Sequence, residues 1–311
     1  MSATDDRAGF EALAQSGPED AEAARDLAAR LKARNGPQQL KALAALWLHV
    51  AVAQPEDLAA IYDAAAEGWL GEPVGGPPVR AVAGLRPAAI PAAFWTALWS
   101  LIAETNGLGA AGVTARTAAL SGLIAPDVIR RRAKAAGAWP GLAAAARSGL
   151  PRPFSAPALA RCPPGSLGAA FWAQHPDLEV GRHADLPAPL DYVAARIAQT
   201  RGLWALTAGY EATTLHEVAL YAFQLGQFGH HYAAKYLGMV LTRLAFEQPA
   251  GGPLMLQTIL TAWTHGRRTP PLIGTRWETL WDKPVDAVRK TLGVTPYASP
   301  YPADLFEQAA A

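Results

Sequence analysis

The sequence predicts an all-α protein, and three observations carry that prediction. Apolar residues recur three and four apart along almost every periodic segment. Ala, Leu, Glu and Arg dominate those segments, and the strand-like alternation of β-branched residues is almost absent. Hydrophobic residues make up 51% of the 311 positions and charged residues 17%, with ten tryptophans. A chain of that length and composition can bury a sizeable core and is globular rather than disordered.

Each element has a local cause. Residues 19–34 begin with acidic side chains and end with basic ones, which suits the helix dipole, and Gly36-Pro37 stops them. A more apolar helix is predicted over 38–53, and Pro55 opens a third that ends near Gly68. Residues 71–91 are rich in Pro and Gly and read as a connector. Pro91 then starts an aromatic helix, AAFWTALWSLIAE, closed by Asn106-Gly107. Helices are predicted over 111–123 and 126–136, then a Pro-rich connector over 148–165, then a helix introduced by Gly165-Ser166. Long helices follow over 187–208, 214–227 and 230–247, the last two separated by breaks at Gly226 and Gly229. Helices over 253–265 and 285–292 complete the set, and the tail after Pro296 is expected to be extended.

Charge and cysteine content exclude several classes. A net charge of +1 gives no field for nucleic acid, so no nucleic-acid partner is expected. The one basic run, Arg130-Arg131-Arg132 with Lys134, is expected to be a solvated helix face, with an anionic lipid or phosphate contact as the alternative. Cys162 is the sole cysteine, which excludes an intrachain disulfide and a paired-cysteine metal site and fits a reducing, cytoplasmic compartment. The first residues, MSATDDRAGF, lack a signal-peptide pattern. Pro91 interrupts the charge-free run 87–103 and leaves it too short to span a bilayer, which takes about 20 residues. The expectation is a cytoplasmic protein, at most peripheral to the inner face of a membrane.

Three blocks in the second half resemble a known family. The first is Leu159-Ala-Arg-Cys-Pro-Pro-Gly-Ser-Leu-Gly168, a turn before a helix. The second is Tyr192 to Gln227. The third combines Ala262-Trp-Thr-His-Gly-Arg-Arg-Thr-Pro-Pro-Leu272, Arg276-Trp-Glu-Thr-Leu-Trp-Asp-Lys-Pro284 and Val288-Arg-Lys-Thr-Leu-Gly293. In order and spacing these are similar to the ubiquinone (coenzyme Q) biosynthesis proteins, fourth of the Coq series, whose signature is His-Asp-x-x-His followed by Glu twelve residues on. The resemblance spans about residues 150–295. It implies an all-α multi-helix bundle that is peripheral to membranes, binds a prenylated quinone precursor, organises other biosynthetic proteins and uses a divalent metal.

At the signature itself the chain departs from the family. Glu217 matches the glutamate, but Ala205 stands at the second histidine and Arg201-Gly202 at the first His-Asp pair. Metal binding needs imidazole, carboxylate or thiolate donors, and Ala, Gly and a guanidinium supply none. The family metal is therefore expected to be lost, and no cofactor is predicted. Residues 201 and 205 lie one helical turn apart on one face, and the corner geometry that the resemblance implies would point Arg201 into the space of the metal, toward Glu217, and pair the two. A competing reading makes Thr214-Leu-His-Glu217 a capping box, in which Glu217 satisfies helix-start amides. His216, His230 and His231 lack the spacing to rebuild a metal site. His265 reads as a helix C-terminal residue favoured by the dipole.

Tyr221, Gln224 and Phe228 follow Glu217 at helical spacing, and Trp204 and Tyr210 flank the corner. They read either as core packing or as the wall of an apolar channel for a prenyl tail. With Arg201, Ala205 and Glu217 they form the predicted ligand-binding set, while Trp277 and Trp281 are expected to close the core. The leading functional reading is a metal-free scaffold or accessory protein that binds a hydrophobic isoprenoid or quinone-like ligand. It would serve other biosynthetic proteins, with a homodimer left open. The alternative is a metal-independent enzyme acting on an isoprenoid-quinone or related aromatic or lipid substrate, with Glu217 as general base and Arg201 as anion holder. A third reading is a structural interaction module whose N-terminal helices offer the partner surface. Three regions are expected: an N-terminal helical region over 1–147, a Coq-type helical domain over 148–296 and an extended tail over 297–311.

Overall fold

The computed structural model describes residues 3–17, 20–34, 36–79, 85–104, 110–147, 149, 152–175 and 188–310. Among them are sixteen α-helices and no strand. The first eight are α1 (Ala3–Ser16), α2 (Ala21–Arg34), α3 (Pro37–Val52), α4 (Leu58–Leu70), α5 (Ala92–Glu104), α6 (Ala110–Ala119), α7 (Pro126–Ala136) and α8 (Leu142–Arg147). The second eight are α9 (Ala156–Leu159), α10 (Leu167–Gln174), α11 (Ala188–Ala208), α12 (Thr214–Phe228), α13 (His231–Glu247), α14 (Gly252–Arg268), α15 (Val285–Leu292) and α16 (Leu305–Ala310). No described helix is long and apolar enough to cross a membrane.

The helix at the centre is α12, on which every residue from Val218 to Phe228 is buried. Its sequence is apolar on all faces, as a helix surrounded by others must be. The helix packs most extensively along α14, with α13 beside it. The α12–α14 crossing is close because each helix offers a glycine: a Cβ on Gly226 would meet the Trp263 carbonyl oxygen at 2.6 Å, and one on Gly266 the Phe223 carbonyl oxygen at 2.4 Å. Gly226 is therefore not a helix break, as its composition suggested. The helix runs through it and ends at Gly229, whose φ of 64° is the left-handed cap that glycine favours.

The N-terminal helices belong to the same core. Helix α3 packs on α13, and α4 packs on α14. A single cluster of buried apolar residues runs from Phe10 to Tyr297. A polar tie reinforces the contact: Asp63 on α4 accepts from Trp263 Nε1 at 2.9 Å and Arg267 Nε at 3.2 Å. Burial raises the Asp63 pKa, and Arg267 opposes that shift. The sequence boundary at 147/148 thus marks a change in resemblance, not a gap in packing.

Helix α11, which carries Arg201, is held at both ends. Buried Arg196 donates from Nε to Ile273 O at 3.0 Å and from Nη1 to Gln199 Oε1 at 2.6 Å, and Gln199 Nε2 reaches Arg152 O at 2.6 Å. At the C-terminus, Arg289 on α15 donates to Thr207 O at 2.9 Å and Leu206 O at 3.0 Å, satisfying carbonyls that a helix end leaves open.

The predicted elements stand where the pattern put them. Helices α1, α8, α9 and α16 were not foreseen. Three of them are six residues or fewer, and α1 packs through little more than Phe10 and Ala14. The tail differs from the extended segment expected over 297–311. Tyr297 is buried and donates its backbone N–H to Ala208 O at 2.7 Å, and residues 305–310 form α16. Trp277 and Trp281 are buried as expected, although only 277–279 is helical and as a 3-10 turn. A Gly266→Ala chain should lose about 1–3 kcal/mol of unfolding free energy, because the new methyl meets backbone rather than a movable side chain. Urea unfolding monitored by circular dichroism reads that loss.

Candidate functional site

The site is the corner where α11 hands over to α12. Gly209, with a φ of 81°, turns the chain after α11. Thr213 then caps α12, its side chain accepting from His216 N at 3.4 Å. That cap lies one residue earlier than a capping box on Thr214 requires, so Glu217 falls outside the box and its carboxylate is free to look elsewhere. The amide and hydroxyl of Thr214 donate instead to Glu307 on α16, at 2.8 and 2.7 Å.

Glu217 looks at Arg201. Arg201 Nη2 lies 2.5 Å from Glu217 Oε1, and the guanidinium sits 4.9 Å from the centre of the Tyr221 ring. The two side chains are 29% and 45% exposed, so the pair is half-solvated and contributes about 1 kcal/mol or less to stability. Its effect is local: it places a cation and a carboxylate together at the positions where the family signature keeps metal ligands. Of the signature positions, Glu217 carries the one carboxylate, already paired with a guanidinium, and 202 and 205 carry no donor side chain. Among the described residues no three of His, Cys, Asp and Glu converge on one point.

Behind the pair lies an aromatic cluster. Tyr221 is 4.6 Å from Tyr236 and 5.4 Å from Tyr232, ring centre to ring centre. Burial raises the pKa of all three phenols, that of Tyr236 to about 12. His230, at the start of α13, is held down to about 3, first by burial and then by the charges of Lys235 and Arg201. Trp204 is fully buried against Phe228 at 5.2 Å. Gln224 is fully buried too, and neither end of its amide has a partner among the described residues.

On the other side of Arg201 is a cavity of about 250 Å³ walled by Phe154, Phe171, His175, Ile197, Gln199 and Gly202. His175 is the residue that sequence reasoning missed. Its imidazole occupies the space a side chain at 202 would need, because a Cβ there would meet His175 Nε2 at 2.1 Å. The absence of a side chain at 202 was the available signal, but nothing in the spacing pointed to a partner 27 residues earlier in the chain.

The eight predicted ligand residues therefore separate. Arg201 lines the cavity; Glu217 and Tyr221 gather against its guanidinium; Gln224 and Phe228 are buried on the face of α12 that carries Glu217; Trp204, on α11, is buried against Phe228; Ala205 is half-buried on α11. Tyr210 turns to another face of α12, stacking on Tyr297 at 4.6 Å and donating its hydroxyl to His265 Nδ1 at 2.8 Å. His265 Nε2 in turn donates to Thr295 O at 2.8 Å, and burial lowers the His265 pKa. It is a neutral, doubly hydrogen-bonded imidazole, not the dipole-favoured cation expected.

Fold and site together define an all-helical protein built round a buried central helix, with an arginine–glutamate corner opening on a small cavity. The part of the chain that holds this corner, residues 153–298, matches the family model described as coenzyme Q (ubiquinone) biosynthesis protein Coq4, so the resemblance read from the three sequence blocks is borne out. No curated protein matches the sequence. A similar solved structure is that of a protein assigned to ubiquinone biosynthesis from Nostoc punctiforme PCC 73102. It is 22% identical, with a TM-score of 0.52, over 65% of this chain and 97% of that one. Residues 153–311 make up only about half of the chain, so the likeness in fold reaches back into the N-terminal helices.

His230 gives the site a pH signature. An unfolded chain protonates that imidazole near pH ~6.5, whereas the folded chain resists until about 3. Between those values the unfolded state holds the extra proton, so stability falls as pH drops and is fully present above ~6.5. Each unit of pH in the middle of that window should remove about 1.4 kcal/mol through His230 alone. Urea unfolding across about pH 5.5 to 4 should show a slope smaller by about one proton in His230→Gln.

Proposed function

We propose that this chain is a metal-independent accessory protein of ubiquinone biosynthesis that holds an isoprenoid or quinone-like ligand at the α11–α12 corner for other biosynthetic proteins. The observation that carries this reading is the Arg201–Glu217 ion pair at 2.5 Å. A guanidinium supplies the positive charge next to the glutamate, and it does so without the further donors a metal would need. The adjoining cavity supports a ligand of mixed character. Phe154, Phe171 and Ile197 offer apolar wall, while Arg201, Gln199 and His175 offer polar contacts at one side. Its volume, about 250 Å³, suits a ring or the first isoprene units rather than a whole prenyl tail. With no spanning helix among the described residues, the proposal places the rest of such a ligand in a membrane or a partner, with the protein at the membrane surface.

Mass spectrometry of the protein as purified tests the proposal directly. The expected result is a co-purifying isoprenoid and no stoichiometric metal; one zinc per chain would end the metal-independent reading. Glu217→Gln separates the accessory role from catalysis. Ligand retention within about two-fold of the parent is expected if Glu217 only partners Arg201. Turnover by the parent that disappears in Glu217→Gln would instead make Glu217 a general base.

A further inference from the structure

The basic run on α7 does not form one solvated face. Arg131 pairs with Glu56, whose side chain is buried, and Arg132 turns inward, where only 6% of it is exposed. Its Nη2 is buried and has no hydrogen-bond partner among the described residues. A guanidinium cannot shed its proton to escape that position. Burial lowers its pKa only to about 10, so it is a cation at neutral pH. Leaving such a charge unpaired in the interior costs several kcal/mol.

What the guanidinium faces is the start of α13. Arg132 shares the wall of a small cavity with His231 and Ala234 from the first turn of that helix, with Gly229 at the end of α12, and with Leu58 and Trp139. Helix α13 is 17 residues long and begins without a side-chain cap. Its first amides have no intrahelical acceptors and carry the positive end of the dipole. One turn further on, Lys235 is 1% exposed and donates to Ser121 Oγ. Its pKa is pushed well below the ordinary lysine range, first by burial and then by Arg132. Among the described residues no carboxylate lines the cavity. Glu56 belongs to the turn that contributes Pro55 to its wall; Arg131 takes one of its oxygens, and the other is buried without a hydrogen-bond partner.

A buried guanidinium and an uncapped helix N-terminus are two sources of positive potential on one cavity wall, from two elements. We propose that a chloride-sized anion binds between the Arg132 guanidinium and the first turn of α13. The space accounts for the size: the cavity volume is about 20 Å³, room for one water-sized occupant and not for a phosphate. The anion would also link two parts of the chain, since Arg132 precedes the family-matched residues and α13 lies within them.

The test compares thermal unfolding of the full chain in sodium chloride and in sodium gluconate at equal ionic strength. A saturable rise in Tm of about 3 °C in chloride is expected, and the rise should vanish in Arg132→Met. Equal Tm values in the two salts, or a chloride effect that persists in Arg132→Met, would overturn the proposal. A larger rise in phosphate than in chloride would overturn the size assignment. Should Arg132→Met fail to fold, crystals of the parent chain soaked in bromide decide the matter. An anomalous peak between Arg132 and residues 231–234 is expected, and its absence there would refute the site.

Discussion

Burial of α12 on every side is the constraint from which the rest of the structure follows. A helix in that position cannot leave polar groups to water, so they are to be met from within the protein, and Gln224, without a partner among the described residues, is the exception. Gln227 shows the solution at its best. Its amide donates to Gly266 O and Thr269 O at 2.7 and 2.8 Å and accepts from Leu272 N at 2.9 Å, binding the end of α12 to the end of α14. At the other terminus, Thr213 and Glu307 meet the open amides. Glycines at 226 and 266 let the two helices approach closely enough for the Gln227 bonds to form. Glu217 is the one charged group on this helix, and it sits at the end where water and Arg201 both reach it.

The same constraint explains why an arginine can stand at a position the family gives to a metal ligand. A carboxylate at the base of a buried helix needs a positive charge nearby, and both a metal and a guanidinium provide one. A metal demands several donors on separate positions. A guanidinium on α11 demands only reach, which the anchoring of α11 through Arg196, Gln199 and Arg289 provides. With Arg201 beside Glu217, residues 202 and 205 carry no donor side chain. His175 then packs into the room that Gly202 leaves.

How much of this was legible in the sequence depended on the range of the interaction concerned. Periodicity and Pro/Gly punctuation are local, so the long helices could be read from spacing, whereas the Arg201–Glu217 pairing, across a corner, was read through the geometry that the family resemblance implies. The capping box failed by a single residue, because Thr213 and Thr214 are chemically equivalent candidates and only the tertiary contact with Glu307 decides between them. Tyr210 was misplaced for a related reason. It lies seven residues before Glu217, but the turn at Gly209 sends its ring toward His265 and Tyr297, more than 50 residues further along the chain. Arg132 is the extreme case. Its basic neighbours implied a solvated face, and the packing of α7 against α11 and the turn at 55–57 turns it inward.

The N-terminal helices bear most directly on the choice among functional readings. A structural module that offered those helices as a partner surface would need apolar faces left uncovered. Helix α3 instead buries Leu40 and every residue from Leu43 to Val52. Helix α4 spends Asp63 on Trp263 and Arg267 of α14, and Gly238 on α13 brings Leu48 so close that a Cβ there would meet its Cδ2 at 2.8 Å. Large apolar residues exposed among the described positions amount to Leu13 and Leu85, scattered singly. A region that commits its apolar surface to α13 and α14 stiffens the helix pair against which α12 and its ion pair rest.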